Sequence, residues 1–317
     1  MSPILRLLKN YTLPISMLAG VVGYFAYTAI PALDHTHRVA NQIISIIQPL
    51  LIFSMLFLTF CKIKFSDLHF TRWHLWLLLI QCSVFSLCAW LCTLLPQSLP
   101  RLVTESFMLC MICPTATAAA VVTSKLGGNA ATLTTYTILI NIATALLVPA
   151  MLPLVHPSTE HTFARMFLSI LYKVFPLLFC PFLLAMILKA INPAITQWCT
   201  RIRDLAFYLW AIALALAIAV TVKTIMHTHC PVGYMVAIAI ASAAACVLQF
   251  FLGRKIGRHY AEPISAAQSM GQKNTVFAIW LAYTFMSPVT SLAGGFYSVW
   301  HNIYNSWQLS HHSKATK

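Results

Sequence analysis

Apolar runs of about twenty residues, each closed by a short polar and basic connection, recur from one end of the chain to the other. A helix needs a run of about that length to cross the hydrocarbon core of a bilayer. The pattern predicts ten spans, near residues 11–31, 43–61, 75–95, 103–124, 130–154, 166–189, 205–225, 232–252, 264–286 and 288–308. Two of them are interrupted by polar or helix-breaking residues. Span 103–124 contains CPTATAAAVVT, and span 264–286 contains QSMGQKNT.

The interruptions fall at matching places. The ten spans divide at the loop around His156 to Arg165 into two sets of five, residues 1–155 and 156–317, and the broken span is the fourth of each. Five is odd, so the second set starts on the opposite side and a repeat would be inverted. Interrupted spans at corresponding positions of two halves point to the binding site of a secondary transporter. The repeat rests on topology alone, because the halves share no convincing residue-level identity.

Charge placement orients the chain. With the N-terminus inside, fourteen of the 20 Lys and Arg residues, including Arg6, Lys9 and Lys317, fall on cytoplasmic segments. Four (Arg38, Arg101, Arg165 and Lys223) fall outside, and Lys173 and Lys273 lie within spans. This bias predicts that both termini are cytoplasmic. A net charge of +14 raises the question of nucleic acid, but no basic stripe interleaved with aromatics is present, so none is expected as a partner.

Composition agrees with that reading. The chain is 60% hydrophobic and 8% charged, against about 25% charged in soluble proteins. It reads as an all-α polytopic membrane protein whose partner is the lipid bilayer. The first apolar run lacks a small-residue cleavage site and reads as a retained helix. Compact loops point to a multi-pass protein of a bacterial inner membrane.

The ten cysteines lie mostly inside apolar runs, where they act as small hydrophobes. Cys110 and Cys113 have metal or redox spacing, but without a second Cys or His pair they read as structural. No metal and no cofactor is expected. The six acids fall in loops or at span ends, so no mid-membrane carboxylate is available for Na⁺ or a proton. No HExxH, P-loop or GxSxG motif supports an intramembrane enzyme, and no catalytic residue is assigned.

Lys273 is the sharpest candidate. A lysine at the membrane centre costs on the order of 2.5–3.5 kcal/mol on insertion scales and marks a functional position by default. It stands about ten residues from either end of its span, too deep to snorkel, among Gln268, Gln272 and Asn274. Lys173 sits nearer a span end, where snorkelling accounts for it. Pro114 removes a backbone donor in mid-span and frees carbonyls of the preceding turn. Thr115, Thr117 and Thr123 add hydroxyls nearby, which an ordinary kinked helix would bond back to its own carbonyls. His301 and Asn302 lie in the last span; taken alone, His301 reads as a hydrogen-bonded core residue.

Three stretches together resemble the bile acid:sodium symporter (BASS) superfamily over the whole chain. ICPTATAAAVVTSKLGGN is similar to the family's CCPGGTASNVVTYLARGD, keeping Cys113, Pro114, Thr117, Ala118, Val121, Thr123 and Gly128. SMGQKNTVFA matches EVGMQNSGLA at Gly271 and Asn274, and LAGGFYSVWHN resembles LPGALFSVWHN. The resemblance implies an inverted-repeat fold, with a panel of spans 1, 2, 6 and 7 and a core of spans 3–5 and 8–10. Within the core, two broken helices would cross at Pro114 and Gly271.

The family's sodium ligands carry over poorly. Anchored on the shared glycine, they fall on Ala119, Ala120, Leu133, Thr137, Ser269 and Lys273, and only Thr137 keeps its oxygen in kind. A third-span glutamine of the second sodium site is retained as Gln81. A shifted register would align Gln268 and Gln272 with the family's Glu and Gln, but it breaks the matches at Gly271 and Asn274. Polar groups near the family's organic-anion cavity survive as Thr117, Asn274, His301 and Asn302. Helix N-termini at the crossovers would favour an anion.

The resulting expectation is a secondary transporter of a small organic anion, working by alternating access without the usual sodium site. Lys273 would stand in for the missing ion. Burial makes a lysine easier to deprotonate, so a proton-coupled cycle is one form of this reading and a uniport another. Two alternatives stay open: a non-transporting membrane regulator or scaffold that keeps the fold, and a sodium-coupled symporter using a site rearranged around Gln81, Gln268 and Gln272.

Overall fold

The computed structural model describes residues 12–63, 66, 68–201, 205–228 and 230–315. Arg6, Lys9 and Lys317 of the charge count lie outside these residues. Among the described residues the chain forms thirteen α-helices and one short 3-10 helix, Pro31–Thr36. The helices are α1 Thr12–Thr28, α2 His37–Cys61, α3 Arg72–Leu94, α4 Leu99–Ile112, α5 Ala119–Lys125, α6 Ala130–Val155 and α7 Phe163–Ile191. They continue with α8 Pro193–Arg201, α9 Leu205–His227, α10 Val232–Arg258, α11 Pro263–Gly271, α12 Thr275–Phe285 and α13 Pro288–Ala315.

Among the described residues six helices are long and apolar enough to cross a membrane: α2, α3, α6, α7, α9 over Tyr208–His227, and α10. The remaining predicted spans fall elsewhere. One is α1, with 17 residues. Two are the divided pairs α4/α5 and α11/α12. The last is α13, whose buried Ser298, His301, Asn305 and Gln308 lower its hydropathy.

Helix bounds run beyond the apolar runs. α2 begins at His37, six residues before the predicted 43, and α13 continues to Ala315. The backbone hydrogen-bond ladder carries on into polar surroundings, which a hydropathy pattern does not register. Nine-residue α8, PAITQWCTR, was not foreseen at all, being too short and too polar for an apolar scan.

Packing groups the helices. α1 lies on α9, and α2 on α7 and α9; α10 lies against α4, α11 and α13, and α3 against α4 and α6. The α10–α11 approach needs small residues. A Cβ added at Gly253 would stand 2.6 Å from the Ala266 carbonyl oxygen, and one at Gly257 2.5 Å from that of Glu262. Four residues apart on one helix, these glycines let two backbones touch, as small-xxx-small pairs do in membranes.

The charge count set Arg101 in an outer connection. In the structure it is 9% exposed, on the first turn of α4, and its Nε donates to Glu105 Oε1 at 2.9 Å. Arg101 Nη2 also donates to the Val155 carbonyl at 2.6 Å. His156 Nε2 lies 3.5 Å from Glu105 Oε2, and the Thr290 hydroxyl donates to the same oxygen at 3.3 Å. Sequence position put these groups near a helix end. Folding gathered them into one buried cluster joining α4, α6 and α13.

Candidate functional site

Both interrupted spans break in mid-course. α4 stops at Ile112 and α5 begins at Ala119; α11 stops at Gly271 and α12 begins at Thr275. The two unwound strips meet. Thr115 and Lys273 form an antiparallel bridge, in which Ala116 N–H donates to the Gln272 carbonyl at 2.8 Å and Asn274 N–H to the Pro114 carbonyl at 2.9 Å. No water is at hand in a bilayer core, so each strip satisfies the other.

The helix ends flanking the bridge leave carbonyls without intrahelical partners. Side chains from distant helices take them up. On α4, Gln249 Nε2 donates to the Cys110 carbonyl at 3.3 Å, Gln81 Nε2 to Met111 at 2.7 Å, and Thr144 Oγ1 to Ile112 at 2.9 Å. On α11, the Thr115 hydroxyl donates to the Ser269 carbonyl at 2.6 Å and the Tyr297 hydroxyl to that of Gly271 at 2.8 Å. The Cys113 thiol donates to the Asn274 carbonyl at 2.8 Å.

Lys273 lies in the second strip and is 1% exposed. Its Nζ donates to the Met111 carbonyl at 3.3 Å, the same oxygen that Gln81 contacts. The Gln81 amide oxygen accepts in turn from the Tyr136 hydroxyl. The amine thus sits at the C-terminal end of α4, where the helix dipole favours positive charge.

The structure brings six of the thirteen sequence candidates together. Thr117, Gln272, Lys273, Asn274, His301 and Asn302 line one small pocket, closed on the other side by Met55 of α2 and Trp210 of α9. Its volume of about 20 Å³ has room for about one water. Several buried polar atoms around it have no partner: Gln272 Oε1, Asn274 Nδ2, Ser298 Oγ and His301 Nδ1. Asn274 meanwhile caps α12 through Oδ1, which accepts from Phe277 N–H at 3.2 Å.

Other candidates stand apart from the pocket. Gln268 Nε2 donates to Asn305 Oδ1 at 2.9 Å and Gln308 Oε1 at 2.8 Å. The Thr137 hydroxyl bonds back to Leu133 in its own helix, as Asn302 Nδ2 does to Ser298. Thr123 and Ser269 are buried with unpartnered hydroxyls. Pro114 is the second residue of the first strip, after Cys113, and Gly271 is the last residue of α11.

Sequence reasoning missed Thr144, Gln249, Tyr297 and Tyr136, which hold the strips and Gln81 in place. Their signal was a neutral polar group inside an otherwise apolar helix, and many such groups merely bond back to their own backbone. The Thr115 hydroxyl illustrates the ambiguity: an ordinary kink would bond it locally, yet it reaches across the crossover to Ser269. Among the described residues no three His, Cys, Asp or Glu side chains gather to hold a metal ion.

No curated protein matches the chain. The profile of the SBF-like CPA transporter family matches residues 21–312, nearly the whole length, and the chain belongs to that family of membrane transporters.

Proposed function

We propose that the chain is a secondary transporter that carries a small organic anion by alternating access, with the ammonium of Lys273 in the place of a coupling sodium ion. The observation that carries this reading is the hydrogen bond from Lys273 Nζ to the Met111 carbonyl at the end of α4. Half-helix C-termini and unwound carbonyls are what coordinate the coupling cation in transporters with broken helices. Here a tethered amine contacts that oxygen. A transporter built this way needs no sodium to hold its crossover together.

The substrate would bind at the pocket lined by Thr117, Asn274, His301 and Asn302. Unpartnered donors there, Asn274 Nδ2 among them, and the N-terminus of α12 suit an anionic group. About 20 Å³ is too small for an organic anion, so loading requires Met55 and Trp210 to draw away. Those residues belong to α2 and α9, helices of the panel in a ten-span, two-repeat arrangement with the crossover in the core. Both termini would face the cytoplasm of a bacterial inner membrane.

Proteoliposomes test the reading. Uptake of an organic anion should proceed without a sodium gradient, and Lys273→Gln should abolish it. Wild-type uptake and stability in that variant would sink the proposal.

One observation favours a second reading. Gln268 Oε1 and Gln272 Oε1 are buried acceptors without donors, which a rearranged sodium site would use. Stabilisation of the wild type by Na⁺ but not by K⁺ in thermal unfolding would establish that reading instead.

A further inference from the structure

A larger cavity of about 370 Å³ lies among α1, α2, α9 and α12, at the end of the molecule that the charge count assigns to the outside. Small-molecule sites have volumes of this order. Lys223 lines it together with His37 and His227, and among the described residues no Asp or Glu does. Lys223 Nζ donates to Asn41 Oδ1 at 2.6 Å and, among the described residues, pairs with no carboxylate.

A second observation points the same way. Gln48 lines the cavity, is 4% exposed, and its Nε2 donor has no hydrogen-bond partner. A buried amide N–H left unpaired is unfavourable unless something accepts from it. Tyr24, Tyr283 and Trp280 supply aromatic wall.

The cavity is separate from the crossover pocket. Gln48 lines one and Met55 the other, seven residues apart on α2 or about 10 Å along its axis. Ile52 stands between them, fully buried.

We infer that this cavity is a second ligand site, for a soluble monoanion with an aromatic body. Its carboxylate or sulfonate accepts from Lys223 Nζ beside Asn41, its ring system packs against Tyr24, Tyr283 and Trp280, and a polar group on the far edge of the ring accepts from Gln48 Nε2, about 10 Å deeper along α2. Charge-assisted hydrogen bonds supply the orientation, and ring contact supplies the apolar burial. One bicyclic body fits the volume; a two-chain lipid does not. The site needs no action by Lys273, so it stands or falls separately from the transport mechanism.

Gly23 provides a clean handle. It lines the cavity, and a Cβ added there meets nothing within 4 Å. A leucine at that position grows into the empty space, and leucine is a better helix former than glycine.

The test is calorimetric titration of 2-naphthalenesulfonate, with 2-naphthalenemethanol as neutral control, into the full chain in zwitterionic nanodiscs. The wild type binds the sulfonate and discriminates against the alcohol. Lys223→Met and Gly23→Leu each weaken binding by about tenfold or more, with unchanged thermal unfolding. Lys273→Gln binds as the wild type does. Wild-type affinity in both Lys223→Met and Gly23→Leu overturns the inference, as does equal binding of the alcohol. Loss of binding in Lys273→Gln would place the probe at the crossover instead, and abolition by anionic lipid in the disc would make the occupant a headgroup; either result also overturns it.

Discussion

The two ends of α4 each hold a buried basic side chain, by different means. At the N-terminal end Arg101 is 9% exposed and is paired with Glu105, itself 4% exposed. At the C-terminal end Lys273 is 1% exposed and donates to the Met111 carbonyl, and among the described residues it contacts no carboxylate. The helix dipole accounts for the difference. It opposes a cation at the N-terminus, so Arg101 needs an acid; it favours positive charge at the C-terminus, where the Met111 carbonyl accepts from Lys273. The acid-paired side chain is locked into the scaffold. The carbonyl-held one forms no ion pair and borders the pocket.

Four substitutions break or sharpen that contrast, read by equilibrium unfolding in mixed micelles. Arg101→Met should have the largest effect, about 3–5 kcal/mol, because it strands a buried carboxylate. A loss under about 1 kcal/mol would mean that His156 and Thr290 suffice to hold Glu105. Gly271→Ala comes next. Its Cβ would stand 2.4 Å from the Phe250 ring, and such overpacking costs about 1–3 kcal/mol. Combining it with Phe250→Leu should recover most of the loss, and strict additivity would refute the steric explanation.

Lys273→Met should cost less, about 1–2 kcal/mol, because Gln81 still donates to the Met111 carbonyl. Adding Gln81→Leu should then cost more than it does in the wild type. If the two losses simply add, the carbonyl is not a shared acceptor. Thr144→Val should be the mildest at about 1 kcal/mol, removing one donor from Ile112. Unchanged unfolding there would mean that the freed carbonyl finds another donor.

Much of this was legible in the chain. GQKN announced a charge inside an apolar run, and the structure puts Lys273 in the second break, bridged to Thr115 in the first. Thr117, Asn274, His301 and Asn302, chosen on the resemblance, line one pocket with it. Thr137 and Gln268 were chosen on equal grounds, yet one bonds to its own helix and the other to Asn305 and Gln308. The charge count gave Arg101 a side of the membrane but not its partner, because it does not register the acid one turn away.

By itself the sequence determined that the chain is a helical membrane protein and where two of its apolar runs unwind. Those are properties of short stretches: the transfer of an apolar run into lipid, a proline without a donor, a lysine without water. Only the tertiary structure decided which groups satisfy the exposed carbonyls and what faces each basic side chain. Thr144 serves Ile112, Gln249 serves Cys110, and Tyr297 serves Gly271, partners separated by 26 to 139 residues. In a medium that offers no hydrogen bonds every such group must find a partner, but which partner depends on how distant helices pack.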